Sequence, residues 1–295
     1  MSEAFKLDLV AIQISIVLVV ISIGMQAAWT EATFLFRNPP LLFRSIVARN
    51  VIVPAAAILM LKLFPFVPPV ALTVAVLAAT PVPPFLPGSL LKSGSRSCYV
   101  MGLLVSQSVL SIILVPLTIS IMAGISGKEA QFSAMQAAKI VFRTILVPFA
   151  AGMLIGALLH EKRHRAARIV GKTGNILLII ATVPALFMAW NLMTALIGQG
   201  VLIALVLLVI IGLGAGHVLG GPDRHDRTAL ALATASAHPG VAIAIASANF
   251  PEYREAVTGS VVLYLLIRSL LVIPYTRWRR RPAVQPGDLH IPAQA

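Results

Sequence analysis

Apolar runs of about 20 residues recur along the whole chain, separated by short polar segments. A transmembrane helix needs about 20 mostly apolar residues to cross the hydrocarbon core of a bilayer. The pattern therefore predicts an all-α polytopic membrane protein with about nine membrane-spanning helices. The predicted spans cover residues 8–28, 41–63, 67–93, 97–123, 138–159, 170–190, 196–220, 226–250 and 256–276.

The composition supports a membrane protein, since 58% of the 295 residues are hydrophobic and 11% are charged. A soluble domain carries about 25% charged residues. Lys and Arg number 23 against 10 Asp and Glu, which gives a net charge of +13. These basic residues cluster in short loops, as the positive-inside bias produces. The sequence therefore predicts that membrane lipid surrounds the protein and that its positive charge does not serve to bind nucleic acid.

The densest basic cluster follows the fifth predicted span and runs from His160 to Lys172. Cytoplasmic loops carry an excess of Lys and Arg, so this loop is expected inside the cell. The N terminus then falls outside and the C terminus inside. We expect a multi-pass protein of the cell membrane, inner or plasma, with one transmembrane domain over residues 1–282. Residues 283–295 are expected to form a disordered cytoplasmic tail.

Two predicted spans contain sequences that interrupt a helix. Span 67–93 contains the segment Thr80-Pro81-Val82-Pro83-Pro84-Phe85-Leu86-Pro87-Gly88, and span 226–250 contains Ala235-Ser236-Ala237-His238-Pro239-Gly240. Proline removes a backbone donor and clashes with the preceding turn, and the freed carbonyls need new partners within lipid. The sequence therefore predicts two discontinuous helices, with ordinary proline kinks as the alternative.

With the fifth span set aside, the spans form two groups of four, at about 8–123 and 170–276. Each interrupted span is the third of its group, and the two groups enter the membrane from opposite sides. Inverted-topology repeats have this arrangement, and their solutes bind near the midplane, where the interrupted helices expose their ends. The pattern favours a carrier that works by alternating access, with helix 138–159 between its repeats.

Several segments resemble the bile acid:sodium symporter family and its bacterial relatives. The resemblance is carried by Gly24-Met25 through Arg37, by Pro39 through Asn50 to Pro54, by Pro87-Gly88, and by His238-Pro239-Gly240 through Asn249-Phe250. It implies a ten-helix inverted-repeat fold with a panel domain and a core domain, here without the first helix. It also implies transport of a small organic solute together with a coupling ion.

The resemblance locates the positions at which the family holds sodium. Leu90-Leu91 stand in place of a Ser-Asn pair, Ala233 in place of a Glu, and Ala237-His238 in place of a Gln-Asn pair. Ser108 falls on a matching hydroxyl and is the weak sodium candidate, since sodium, a hard cation, prefers oxygen ligands. Coupling to Na⁺, coupling to H⁺ and uncoupled transport therefore remain alternatives, and no other cofactor is expected.

Cationic side chains lie inside predicted spans, where ionisable residues indicate function by default. His238, beside Pro239 at the second break, could carry a proton, bind an anion or donate to a freed backbone carbonyl. Arg268, one turn after Tyr264, could bind an anionic solute or contact a neighbouring helix. Together they favour a small organic anion as the solute. Arg49 poses the same question as Arg268 closer to the cytoplasmic side.

Polar residues near the breaks complete the candidate site. Ser106, Gln107, Ser108 and Ser111 form a band in the fourth span, although such hydroxyls also hold membrane helices together. The candidate substrate or ion site comprises Pro87, Gly88, Gln107, Ser108, Ser111, Thr234, Ser236, His238, Pro239, Gly240 and Arg268.

Other classes of protein are alternatives to a symporter. A carrier of the auxin-efflux or arsenite-permease type shares the architecture, and a membrane sensor or assembly subunit without transport would also fit the missing sodium ligands. An intramembrane enzyme is not predicted, because the spans contain no His pair at metal-ligand spacing. Glycines at 212, 214, 216 and 220 lack the spacing of a dinucleotide-binding motif and predict close helix packing instead.

Overall fold

The computed structural model describes residues 3–83, 96–125 and 134–280, and every regular element within them is a helix. This confirms the all-α class. The helices are α1 (Glu3–Gln26), α2 (Trp29–Ala32), α3 (Pro39–Ile46), α4 (Val53–Leu63), α5 (Pro68–Ala79), α6 (Ser97–Ile125), α7 (Ala134–Val141), α8 (Val147–Leu159), α9 (Arg163–Ile197), α10 (Val201–Leu219), α11 (Arg224–Thr234), α12 (Pro239–Asn249) and α13 (Arg254–Arg280).

Six helical stretches of the described chain are long and apolar enough to cross a membrane. They are Pro39–Leu63, Ser97–Met122, Ala138–Ala181, Val201–Leu219, Arg224–Asn249 and Pro251–Arg279. Shorter apolar helices occupy Val10–Gln26 and Pro68–Ala79. Helices thus lie at each predicted position, whereas the nine-span count and the orientation remain predictions. The predicted tail, 283–295, lies outside the described residues.

Helix α9 extends beyond the predicted span 170–190 at both ends. Helix α9 continues to Ile197, and the turn before α10 falls at 198–200, where Gly200 has a φ of 84°. That left-handed conformation favours glycine and turns the chain into the start of α10. Helix α9 also begins at Arg163, so most of the basic segment predicted as a loop is helical.

Two π-helical segments, Val47–Ile52 and Phe142–Leu146, each end two residues before a proline. Pro54 and Pro148 cannot donate an amide hydrogen, and their rings clash with the carbonyl four residues earlier. The preceding turn widens in response, and such widened turns occur frequently at functional sites. In the first segment the widened turn carries Arg49, whose side chain is only 2% exposed.

Helices α1, α8 and α9 form one closely packed group, called here the scaffold bundle. A Cβ atom added at Gly24 would lie 2.3 Å from the carbonyl oxygen of Phe149, and one at Gly152 would lie 2.3 Å from that of Ile21. Ser22 Oγ donates a hydrogen bond of 2.8 Å to the carbonyl oxygen of Ala167. Glycine at these positions therefore allows the backbones to touch.

The largest apolar core is formed mainly by α4, α5, α10, α12 and α13, with further residues from α6, from the segment 141–145 and from the end of α9. Helices α4, α5, α10, α11, α12 and α13 are called here the break bundle. Cβ atoms added at Gly212, Gly216 and Gly220 of α10 would lie 2.8, 2.5 and 2.2 Å from the Cα atoms of Ala235, Ala231 and Arg227. The prediction of close packing is confirmed for these three glycines. It is wrong for Gly214, where no heavy atom lies within 4 Å of an added Cβ.

Candidate functional site

The second predicted break is present. Helix α11 ends at Thr234, α12 begins at Pro239, and residues 235–238 between them are not helical. Pro239 occupies the first turn of α12, where its missing amide hydrogen costs nothing and its fixed φ suits a helix start. The prolyl position thus sets where the second half-helix begins.

Tyr264 of α13 holds the backbone of this break. Its hydroxyl donates to the carbonyl oxygen of Ala235 and accepts from the amide of Ala237, both at 2.8 Å. Each residue of this contact is at most 2% exposed. One phenol therefore satisfies two backbone groups that the interruption frees from the helical ladder.

Replacing Tyr264 with phenylalanine should lower the melting temperature of the protein in detergent. The Ala235 carbonyl and the Ala237 amide would be left buried without a partner, at about 1–3 kcal/mol each. Tyr253→Phe is the control, because Tyr253 lies half-buried at the start of the same terminal segment. Equal melting temperatures for Tyr264→Phe and the wild type would contradict the assigned role.

Arg268 lies one turn after Tyr264 and contacts the same break. Its Nε atom donates to Ser236 Oγ at 2.7 Å, and Ser236 Oγ donates to the carbonyl oxygen of Leu232 at 2.6 Å. This is the interhelical contact that the sequence left open as one alternative. Two further amino groups of the guanidinium could donate to a ligand. Binding of an anion by Arg268 therefore stays a prediction that this contact does not rule out.

His238 caps α12 and is only 1% exposed. Its Nδ1 atom accepts the amide hydrogen of Val241 at 3.3 Å. The neutral ring then carries its own hydrogen on Nε2. That nitrogen is buried and has no hydrogen-bond partner among the described residues. A buried donor without an acceptor indicates a place where a ligand or water can bind.

The His238 ring is close to the boundary between the two bundles. A Cβ atom added at Gly240 would lie 3.5 Å from Cε1 of His238 and 3.2 Å from Cδ1 of Ile16 on α1. Any larger side chain at Gly240 would therefore crowd both the ring and the scaffold bundle. Glycine keeps the space beside the imidazole open.

The first predicted break is described only up to Pro83. Helix α5 ends at Ala79, and Thr80 has the extended backbone (φ −72°, ψ 153°) typical of a residue before proline. Pro87 and Gly88, predicted as site residues, lie outside the described residues. The early end of α5 agrees with an interruption, and the continuation remains a prediction.

The two helix ends meet at Arg49. Its guanidinium donates to the carbonyl oxygens of Leu77 at 3.0 Å and of Thr80, near the end of α5. It also contacts the carbonyl oxygen of Thr234, the last residue of α11, at 3.4 Å. Residues 77–80 and 234–238, with Arg49 between them, are called here the junction.

The polar band on α6 faces the segment that carries Arg49. Asn50 Nδ2 donates to Gln107 Oε1 at 2.8 Å, and Gln107 Nε2 lies 3.5 Å from Ser45 Oγ. Ser108 and Ser111 are buried and donate to carbonyl oxygens of their own helix at 2.7 and 2.6 Å. Gln107 therefore joins helices, while the sodium role of Ser108 stays a prediction.

An ion pair connects the start of α6 with the start of α11. Arg96 donates to both carboxylate oxygens of Asp226, with 3.0 Å from Nε to Oδ1. Asp226 is 1% exposed, and the contact raises the pKa of Arg96 above its ordinary value. Nothing in the sequence indicated this partner of Arg96, which is 130 residues away.

Sequence reasoning left the role of Arg49 open and missed Asn50 at the junction. The signal for Arg49 was an arginine inside an apolar span, which must find oxygen acceptors in the protein. The sequence carried no signal for which acceptors it would find. Of the predicted residues, the structure brings Thr234, Ser236, His238 and Arg268 together around one break.

A helical membrane protein with an interrupted helix and buried cationic side chains at the interruption has the features of a membrane transporter. Comparison with family models makes the class specific. The model described as the Sodium Bile acid symporter family matches residues 13–196, more than half of the chain. The chain therefore belongs to the sodium bile acid symporter family. None of the curated proteins matches it.

Proposed function

We propose that the protein is a secondary transporter that carries a small organic anion across the cell membrane by alternating access. Membership of the symporter family supports the transporter class. The observation that carries the anion proposal is His238, whose buried Nε2 atom has no partner among the described residues. A carboxylate or sulfonate would accept its hydrogen at the start of α12, where the helix dipole also favours negative charge.

Arg268 supports the same site from the other side of the break. Its contact with Ser236 places a guanidinium next to the backbone two residues before His238. Guanidinium groups bind carboxylates through two parallel hydrogen bonds, which gives both strength and orientation. We assign anion binding to His238 and Arg268, with Thr234, Ser236, Pro239 and Gly240 shaping the site.

The two bundles suggest how access would alternate. The scaffold bundle is fixed internally by backbone contacts at glycines such as Gly24 and Gly152. The break bundle contains most of the largest apolar core and carries the site. We propose that the break bundle moves against α1 as a unit, exposing the site first to one side of the membrane and then to the other.

The first experiment is a thermal-shift screen of the purified protein, followed by flux into proteoliposomes. The solutes are a bile acid, a series of short carboxylates, and the corresponding neutral amides. A ligand that binds the folded state raises its melting temperature. At a ligand concentration of 100 times Kd, the folded state gains about 2.7 kcal/mol of stability. We expect stabilisation and saturable flux for at least one acid and not for its amide.

The same assay separates the coupling alternatives. Flux is compared with Na⁺ and with K⁺ as the only alkali cation, and with and without an inward proton gradient. Acceleration by Na⁺ alone would assign sodium coupling, and acceleration by the proton gradient alone would assign proton coupling. Solutes that stabilise the protein without any saturable flux would contradict transport and favour a sensor.

A further inference from the structure

Arg49 is a buried charge whose surroundings are made of backbone oxygens. In the part of the chain that the structure describes, its partners are the carbonyl oxygens of Leu77, Thr80 and Thr234, with no carboxylate among them. A buried charge is costly unless it is paired or hydrogen-bonded. The groups that stabilise this guanidinium must therefore be the helix ends themselves.

Both helix ends present negative potential to Arg49. The last four carbonyls of a helix have no partner within it. The aligned peptide dipoles place about half a negative charge at the C-terminal end. The ends of α5 and α11 together therefore offer about one negative charge, which the single positive charge of Arg49 balances.

The position of the guanidinium is fixed by the segment that carries it. The π-helical turn Val47–Ile52 contains both Arg49 and Asn50. Asn50 Nδ2 donates a hydrogen bond of 2.8 Å to Gln107 Oε1 of α6. This bond anchors the segment directly next to the backbone of Arg49. The arginine is thus held as part of the protein framework.

Carbonyls at the C-terminal ends of interrupted helices form the ligand set with which transporters hold alkali cations. In this chain a guanidinium already donates to those oxygens. We propose that Arg49 is a built-in cation that holds the ends of α5 and α11 together and takes the place of a bound alkali cation at these carbonyls. The inference concerns folding and ion dependence at the junction, and it stands apart from the transport of an anion.

The test is chemical rescue of Arg49→Ala, measured as the melting temperature of the purified full-length protein without any solute. We expect the variant to melt lower by roughly 10 °C, as the loss of a buried ionic network implies for a chain of this size. Millimolar guanidinium should restore most of this loss in a saturable manner. Urea, which has a similar shape and similar donors without the charge, should not.

Arg143→Ala is the matched control. Arg143 lies in the other π-helical segment, also five residues before a proline, but its side chain is exposed. Guanidinium should leave the melting temperatures of this variant and of the wild type unchanged. Equal rescue of Arg49→Ala by urea and guanidinium, or rescue by neither, would overturn the role of the charge.

A second pair of variants applies if Arg49→Ala does not fold. Arg49→Lys keeps the positive charge, and Arg49→Gln keeps a hydrogen-bond donor without charge. Arg49→Lys should melt higher than Arg49→Gln, and the reverse order would overturn the proposal. The wild type should melt at the same temperature in Na⁺, K⁺ and N-methylglucamine, and stabilisation specific to Na⁺ that persists in Ser108→Ala would contradict the replacement of a bound cation.

Discussion

Replacing His238 with asparagine should abolish most of the solute flux while leaving the protein folded. Asparagine is a good N-cap residue, so its side-chain oxygen can accept the Val241 amide hydrogen in place of Nδ1. The buried Nε2 hydrogen, which the proposed anion would accept, is lost. We expect flux in proteoliposomes to fall at least tenfold, with a melting temperature within a few degrees of the wild type.

His238→Ala separates the cap from the donor. It removes both functions, so flux should fall as in His238→Asn, and stability should fall by about 1 kcal/mol more, which is typical for the loss of an N-cap. Flux is compared at equal amounts of reconstituted protein. Wild-type flux in His238→Asn would show that the imidazole has no part in binding and would leave it with capping alone.

Gly216→Ala should strongly destabilise the protein, although alanine is the better helix former. The new Cβ atom would lie 2.5 Å from the Cα atom of Ala231 and from the carbonyl oxygen of Leu230 on α11. Both contacts are backbone atoms, which cannot rotate away as a side chain would. Overpacking of this kind costs about 1–3 kcal/mol, and here the two helices must separate.

Gly214→Ala is the control on the same helix, since no heavy atom lies within 4 Å of its added Cβ. It should raise the melting temperature slightly, because glycine in a helix is about 1 kcal/mol less favourable than alanine. Melting curves of the two variants in the same detergent test the packing directly. An equal change of stability in both variants would contradict the assignment of Gly216 to the close approach of α10 and α11.

Apolar runs and prolines predicted much of the fold because they act locally. A run of apolar residues is stable in a bilayer wherever it occurs, so helices were found at each predicted position. Pro239 by itself prevents a continuous helix, because it cannot donate a backbone hydrogen bond. The break predicted next to it is present at 235–238. The end of α9 lies beyond the predicted span because a helix can extend past its apolar run until glycines, here Gly198 and Gly200, turn the chain.

The candidate site could be predicted only in part. Ser236, His238 and Arg268 stood out because polar residues are rare inside apolar spans, and the structure brings them to one break. Their partners were not predictable, because the residue that receives each hydrogen bond is chosen by packing. Tyr264 lies 27 residues from the Ala237 amide that donates to it.

The sequence by itself determined that the chain is a helical membrane protein, that one span is interrupted at Pro239, and that cationic side chains lie inside spans. Each of these follows from the chemistry of single residues or short runs in lipid. Only the tertiary structure decided that Arg49 joins the ends of α5 and α11, across 28 and 185 residues of sequence. A carbonyl oxygen has the same chemistry at every residue, so only the packing of helices selects which ones a buried guanidinium meets.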